Sequence, residues 1–236
     1  MTNYSTQILP SGDSAVLIRF GENISESDNH KVITLQEKLE TNKINGVIET
    51  IPAYSSLMVL YNPLILSFKT IYRKIQELLN QPELSLSQQS RKITVPVCYD
   101  EKFGSDLLEV AGQIGLSIDE IIKIYTSSNY RVFMLGFTPG FPYMGETDER
   151  ISCQRKAVPR QVVPEGSVGL AGRQTGIYPI ESPGGWQIIG RTPLNIFNPG
   201  SKDVFLFRTG DIVHFKAIGL EEFEAISRNQ KSLWKG

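Results

Sequence analysis

The stretch YRVFMLGFTPGFPYMG, Tyr130 to Gly145, is where this chain changes character. Its first six residues form a short apolar run. The ten that follow, Gly136 to Gly145, hold three glycines, two prolines and three aromatics. Proline removes a backbone donor and glycine costs order, so no helix is expected there. A strand would accept such a segment only at a sheet edge. The expectation is a loop that carries a large aromatic surface. Downstream, GSVGLAG (Gly166 to Gly172), WQIIG (Trp186 to Gly190) and VFLF (Val204 to Phe207) alternate with Gly/Pro punctuation. Helical periodicity is absent until LEEFEAISRN, Leu220 to Asn229. Many short strands with turn signals predict a sandwich or barrel.

Upstream the texture is different. SAVLIRF (Ser14 to Phe20) reads as a strand, and Ser25, with Asp28 three residues on, as a helix N-cap before Val32, Leu35 and Leu39. Two strands follow, VIETI (Val47 to Ile51) and SLMVLY (Ser56 to Tyr61). Phe68, Ile71, Tyr72, Ile75, Leu78 and Leu79 then trace one apolar helix face. NQPELSLSQQSRK (Asn80 to Lys92) is a polar connector, and ITVPV (Ile93 to Val97) another strand. The order β-α-β-β-α-β is that of a ferredoxin-like unit, with ITVPV either its last strand or the first of the next domain. Ser105 is placed to cap DLLEVAGQI, and SIDE (Ser117 to Glu120) matches a capping box before IIKIY. The expected class is α+β, with an α/β domain over residues 1–90 and a mostly β domain over 91–236.

Bulk properties narrow the function classes. The 236 residues are 40% hydrophobic and 21% charged, which is ordinary for a globular chain. A net charge of −1 gives no electrostatic footprint for nucleic acid or an anionic membrane. Cys98 and Cys153 form no CxxC, so a reducing compartment without disulfide or zinc is expected. MTNYSTQILPSGDS has no basic region and no apolar core of a secretion signal, and no apolar run approaches the roughly 20 residues of a membrane helix. The expectation is a cytoplasmic protein.

Familiar catalytic signatures are missing from the sequence. It contains no G-x-x-x-x-G-K-S/T, and GSVGLAGRQTG (Gly166 to Gly176) fits neither a phosphate loop nor a dinucleotide fingerprint. There is no G-x-S-x-G elbow. The two histidines, His30 and His214, read as surface or structural residues, and Cys98 as a buried thiol without a base. What stands out is Gly136 to Arg191. Arg155, Lys156, Arg160, Arg173 and Arg191 outnumber Glu165 and Glu181 over residues 151–200 and leave that segment at +3. Tyr143, Tyr178 and Trp186 lie among them. Arginine forks suit carboxylates and phosphates, and tyrosine and tryptophan build pocket walls with a polar tip. The same residues also read as turns, core and ordinary surface.

Five segments carry a resemblance. They are GDSAVLIRFG, VPVCYDEKFGSDLLEVA, GFTPGFPYMG, VPRQVVPEGSVGLAGRQTGIYPIESPGGWQIIGRTP and TGDIVHFKAI, in that order. Together they resemble the B subunits of ATP-dependent 5-oxoprolinase (PxpB), a family also labelled KipI or allophanate hydrolase subunit 1, over nearly the whole chain. The resemblance implies a cyclophilin-like β-barrel for the second domain. It implies two partners, a C subunit (KipA or allophanate hydrolase subunit 2 type) and an A subunit of the LamB/YcsF type. The complex would open the lactam of 5-oxoproline to glutamate at the expense of ATP, with nucleotide handled jointly with the C subunit and no metal site in this chain. The alternatives it carries are a KipI-type inhibitor of a sporulation histidine kinase, or a structural partner that completes the active site of the C subunit. The chain departs from the family where Tyr125 replaces the histidine of a Leu-His-Thr, and where Gln154 precedes Arg155 instead of proline.

The site expected on this basis is a cleft on the barrel. Gly136, Phe137, Pro139, Gly140, Phe141, Pro142 and Tyr143 would form one wall. Arg173, Gln174, Thr175 and Tyr178, with Gly184, Gly185 and Trp186, would face it. Arg160 and Arg191 are the expected carboxylate or phosphate ligands, and Gly140, Gly184 and Gly185 would let backbone N–H groups approach an anion. No catalytic base is identified.

Overall fold

The computed structural model describes residues 6–82 and 90–233. It divides into two compact units, Met1–Gln89 and Ser90–Gly236. The polar connector falls largely on residues outside the described set.

The first unit runs β1 (Gln7–Pro10), β2 (Ala15–Arg19), α1 (Glu26–Asn42), β3 (Val47–Pro52), β4 (Ser56–Tyr61) and α2 (Phe68–Asn80). Its four-stranded antiparallel sheet has the order β1-β2-β4-β3. In β4, Leu57, Val59 and Tyr61 are buried while their neighbours are only partly so, the period-2 pattern of a strand with one face on a core. That core takes Val32, Leu35 and Leu39 from α1 and Ile71, Ile75 and Leu78 from α2. Ser25 and Ser67 cap the two helices by accepting from Asp28 and Thr70 N–H. Lys38 is buried, and its ammonium donates to the carbonyls of Leu78 and Gln81 at 2.9 and 2.8 Å. A cation thereby closes the C-terminus of α2, where unpaired carbonyls concentrate negative charge.

Two expectations change here. The strand that completes this sheet is β1, which the sequence reading passed over. Ile93 to Val97 does not join it: β5 (Lys92–Cys98) belongs to the second unit, the other option its position allowed.

The second unit continues with α3 (Leu107–Ile114), α4 (Ile118–Ser127), β6 (Asn129–Leu135), β7 (Pro142–Gly145), a short 3-10 turn (Glu149–Ile151), β8 (Arg160–Val163), β9 (Ser167–Ala171), β10 (Gln174–Ile177), β11 (Ser182–Gly184), β12 (Gln187–Arg191), β13 (Ile212–Ile218) and α5 (Leu220–Leu233). Seven strands close a barrel in the order β10-β7-β6-β13-β5-β12-β9. An odd ring cannot be antiparallel throughout, so a parallel pairing is unavoidable. It is β5 with β13, matched residue by residue from Lys92–Ile212 to Cys98–Ile218.

Inside the barrel lie Val95, Val97, Val132, Met144, Val168, Leu170, Ile177, Ile189, Val213 and Phe215, with Leu107 and Val110 of α3 and Ile121 and Tyr125 of α4 packed on them. The capping box of α4 is present: Ser117 Oγ accepts from Glu120 N–H, and the Glu120 carboxylate accepts from Ser117 N–H at 2.8 Å. Ser117→Ala is expected to lower the melting temperature by ~2–4 °C. An unchanged thermal transition would contradict a stabilising cap. The expected cap of α3 is corrected, because Asp106 and not Ser105 holds the N-cap position, and its side chain makes no capping bond. VFLF forms no strand, only an isolated bridge between Phe205 and Phe197.

Gly136 to Gly145 is only half a loop. Phe137, at φ 66°, and Gly140, at φ 81°, turn the chain, and Gly136 N–H donates to Phe141 O at 3.1 Å. Pro142 to Gly145 is then an internal barrel strand between β6 and β10. Proline is accepted because Pro142 is the first residue of β7. It pairs with Leu135 of β6 but lies beyond the last β10 pair, at Tyr143, so no ladder bond to β10 is lost.

Candidate functional site

Along β7, Met144 points into the barrel core while Tyr143 packs with a second cluster of Phe141, Val163, Ala171, Tyr178, Trp186 and Ile188. This cluster lies on the outer face of the barrel strands and takes Val163 from the two-stranded sheet β8-β11. Phe141 is its hub. Its ring centroid lies 4.8 Å from Tyr143, 5.2 Å from Tyr178, 5.4 Å from Trp186 and 5.8 Å from Phe137, mostly edge to face. Phe137 caps the group at 63% exposure.

Glycines make the close packing possible. A Cβ on Gly176 would stand 2.7 Å from the Phe141 ring, and one on Gly184 would collide with the Tyr178 hydroxyl. A Cβ on Gly140 would stand 2.7 Å from Phe205. Packing therefore accounts for Gly140 and Gly184, which the sequence reading gave to anion contact.

The arginines separate sharply. Arg160 is ion-paired to the buried Asp106 and reaches Trp186 O at 3.5 Å. Asp106 also accepts from Lys156 at 3.0 Å and from Ile188 N–H at 2.6 Å, so one carboxylate ties α3, β8 and β12 together. Arg173 pairs with Glu146 at 3.1 Å and donates to Thr147 O. Arg191 donates to Glu165 O at 2.6 Å and lies over the Phe103 ring, and burial depresses its pKa. Arg160 and Arg191, the expected anion ligands, are thus both engaged within the fold. Arg155, which the sequence reading only counted, makes no hydrogen bond or ion pair to a described residue, and its charge acts on both Tyr143 and Tyr178. Burial raises the pKa of each tyrosine, and Arg155 works against that rise.

Gln174 and Thr175 lie on β10. Gln174 is partly buried and pairs with Ala171 and Gly145, whereas Thr175 is buried and faces the barrel interior, away from Trp186. Pro139 sits in the turn before β7. Gly166 to Gly176 forms the β9–β10 hairpin, turning at Gly172 with φ 58°. A hairpin inside a barrel wall is no cradle for a triphosphate at a helix start, so no nucleotide site is assigned to it. Cys98 and Cys153 are buried free thiols, and burial pushes Cys153 up to about 11. Neither has the character of a nucleophile. Among the described residues no three His, Cys, Asp or Glu side chains gather to hold a metal, and no helix is long and apolar enough to cross a membrane.

The family model for the carboxyltransferase domain, subdomain C and D, matches residues 6–207. The 5-oxoprolinase B subunit of Bacillus subtilis (strain 168) is 44% identical over 229 residues, covering 93% of this chain and 95% of that protein. The chain belongs to the family of 5-oxoprolinase B subunits.

Solved structures share the fold. A conserved protein from Pyrococcus horikoshii, PH0987, is 46% identical with a TM-score of 0.55, covering 92% of this chain and all of that one. The structure of TTHA0988 is 37% identical with a TM-score of 0.78 over 86% of this chain, which spans only 40% of that longer chain. Tyr125, which the resemblance sets at a histidine position, lies inside the fold. Tyr125 is fully buried, stacked on Tyr130 and Phe215, and hydrogen-bonded to Thr175 at 2.6 Å. Thr175 passes its own proton to Gly169 O at 3.0 Å, so the tyrosine is the donor. The residue packs α4 into the barrel core and faces no cleft. Sequence reasoning passed over Asp106 as a hub and counted Arg155 without giving it a role. The signal for the first was an acidic residue at a helix start, and for the second the arginine-rich count itself.

Proposed function

We propose that this chain works as the B subunit of an ATP-dependent 5-oxoprolinase that opens 5-oxoproline to glutamate together with the A and C subunits. The observation that carries the reading is the match, nearly end to end, to a 5-oxoprolinase B subunit. The site we assign to substrate is the outer barrel face around Tyr143, Tyr178 and Trp186, beside the exposed Phe137. Aromatic walls of this kind exclude water from a small ring, and the adjoining polar groups orient it. ATP is handled jointly with the C subunit. In the terms of the family, the four-stranded unit is ferredoxin-like and the seven-stranded one cyclophilin-like, readings supported by the sheet order and barrel closure described above.

Reconstitution tests the proposal. This chain is mixed with its candidate A and C subunits, and ATP hydrolysis and glutamate release are followed with 5-oxoproline present. Glutamate that appears only with all three chains is the expected result. A stable, silent complex would overturn the substrate assignment. The exposed Phe137 favours a second reading, a docking surface for a protein such as a histidine kinase. Failure to bind the C subunit at all would move the assignment there.

A further inference from the structure

We propose that Arg155 and the N–H of Gly185 together form the carboxylate grip of this site, a role that rests on the substrate reading above but names its anion-binding residues. The main chain on either side of Arg155 is fixed to the loop that carries Trp186. Gln187 Nε2 donates to Gln154 O at 3.1 Å, and Lys156 N–H donates to Gly185 O at 2.8 Å. The guanidinium between them is held by no described residue, although every other arginine of the cluster is engaged. An exposed arginine on a pinned backbone, set beside the buried Tyr178 and the partly buried Tyr143, is a cation presented outward at fixed position.

Gly185 supplies the second observation. Its φ lies outside the left-handed region, so the backbone does not require glycine. Packing does not require it either. A Cβ there would stand 3.6 Å from Pro159 and 3.7 Å from both Arg155 Nη2 and the Lys156 carbonyl oxygen, ordinary contact distances, so an anion must sit on the guanidinium side, clear of that carbonyl. This differs from Gly184, where the Tyr178 hydroxyl forbids any side chain. What a Cβ at Gly185 would do is fill the space between the peptide and the guanidinium. The Gly185 N–H makes no hydrogen bond among the described residues. A carboxylate in that notch would accept from the guanidinium and the N–H together, while its apolar ring rested against Trp186. The ligand class is a small cyclic or short-chain carboxylate.

The chain has two tryptophans, so Trp234→Phe leaves Trp186 as the sole indole and its fluorescence as a local reporter. The full-length protein is titrated with 5-oxoproline and with its neutral carboxamide, before and after Arg155→Gln and Gly185→Ala. Each substitution is expected to weaken the carboxylate response about tenfold to a hundredfold and leave the carboxamide response unchanged. Thermal unfolding of both variants is expected to match the parent, since neither residue supports the fold. A saturable carboxylate response that survives both substitutions, or no response in the parent, overturns the assignment. In the reconstituted complex the same variants should raise KM for 5-oxoproline and spare kcat. Carboxylate binding that depends on Arg155 without any glutamate release would instead sink the oxoprolinase reading and keep the anion site.

Discussion

Replacement of Asp106 by alanine is expected to cost about 3–5 kcal/mol of folding stability, measured by urea denaturation. The carboxylate is 3% exposed and bonded to Arg160, Lys156 and the Ile188 N–H. Its removal strips Arg160 of its carboxylate, leaves Lys156 paired only with Glu109 at 2.7 Å, and leaves the buried Ile188 N–H without its acceptor. Asp106→Asn keeps an acceptor for Ile188 but not the ion pairs, so its loss should be smaller. Arg160→Ala removes one partner and leaves Lys156 in place, which places it below Asp106→Ala in effect. If Asp106→Ala shifts stability by less than about 1 kcal/mol, the hub is not structural. In that event Arg160 would return as a candidate anion ligand, because its pairing would be dispensable.

The second large effect belongs to Tyr125. Tyr125→Ala empties a fully buried ring site between Tyr130 and Phe215 and is expected to cost about 3–5 kcal/mol. Tyr125→Phe keeps the ring and loses one hydrogen bond, a cost of about 1 kcal/mol, because Thr175 still donates to Gly169. The burial that raises the tyrosine's pKa well above the usual range also keeps it neutral across the physiological range, so stability should show no pH dependence from this residue. The diagnostic comparison is turnover. The Phe variant of the reconstituted complex should retain parental kcat. A hundredfold fall in kcat with an intact fold would show that proton transfer passes through this position after all.

How far the sequence could be read depends on where the deciding contact lies. The apolar face of α2 and the box at Ser117 and Glu120 are local, and they were legible because partners three or four residues apart settle them. β1 was not legible. It is a short edge strand, mostly exposed and ending in Pro10, so no alternation marks it. β5 would look the same in either unit, and only its pairing with β13, far along the chain, decides the matter. Pro142 misled for a similar reason, since the rule against proline in strands concerns ladder bonds and the first residue of β7 has none to lose toward β10. Among the candidate site residues, the aromatic content of Gly136 to Gly145 was legible as a cluster in the making, whereas which arginines the fold engages was not. Arg160 meets its partner 54 positions earlier, and the distinction of Arg155 is the lack of a partner among the described residues, which no string of letters displays.

The parallel seam between β5 and β13 also sets a timetable for synthesis. β5 is the first barrel strand to leave the ribosome and β13 the last. Until residues 212–218 emerge, the nascent barrel carries unpaired strand edges, a condition that favours association with other chains. The first unit has every strand of its sheet by Tyr61 and both helices by Asn80, so its contacts are available while the barrel is still incomplete. Slow translation or a late stop would therefore act on the two units very differently, sparing the sheet and stranding the barrel. A chain cut just before Ile212 would have nearly all of the barrel's residues and none of its closure.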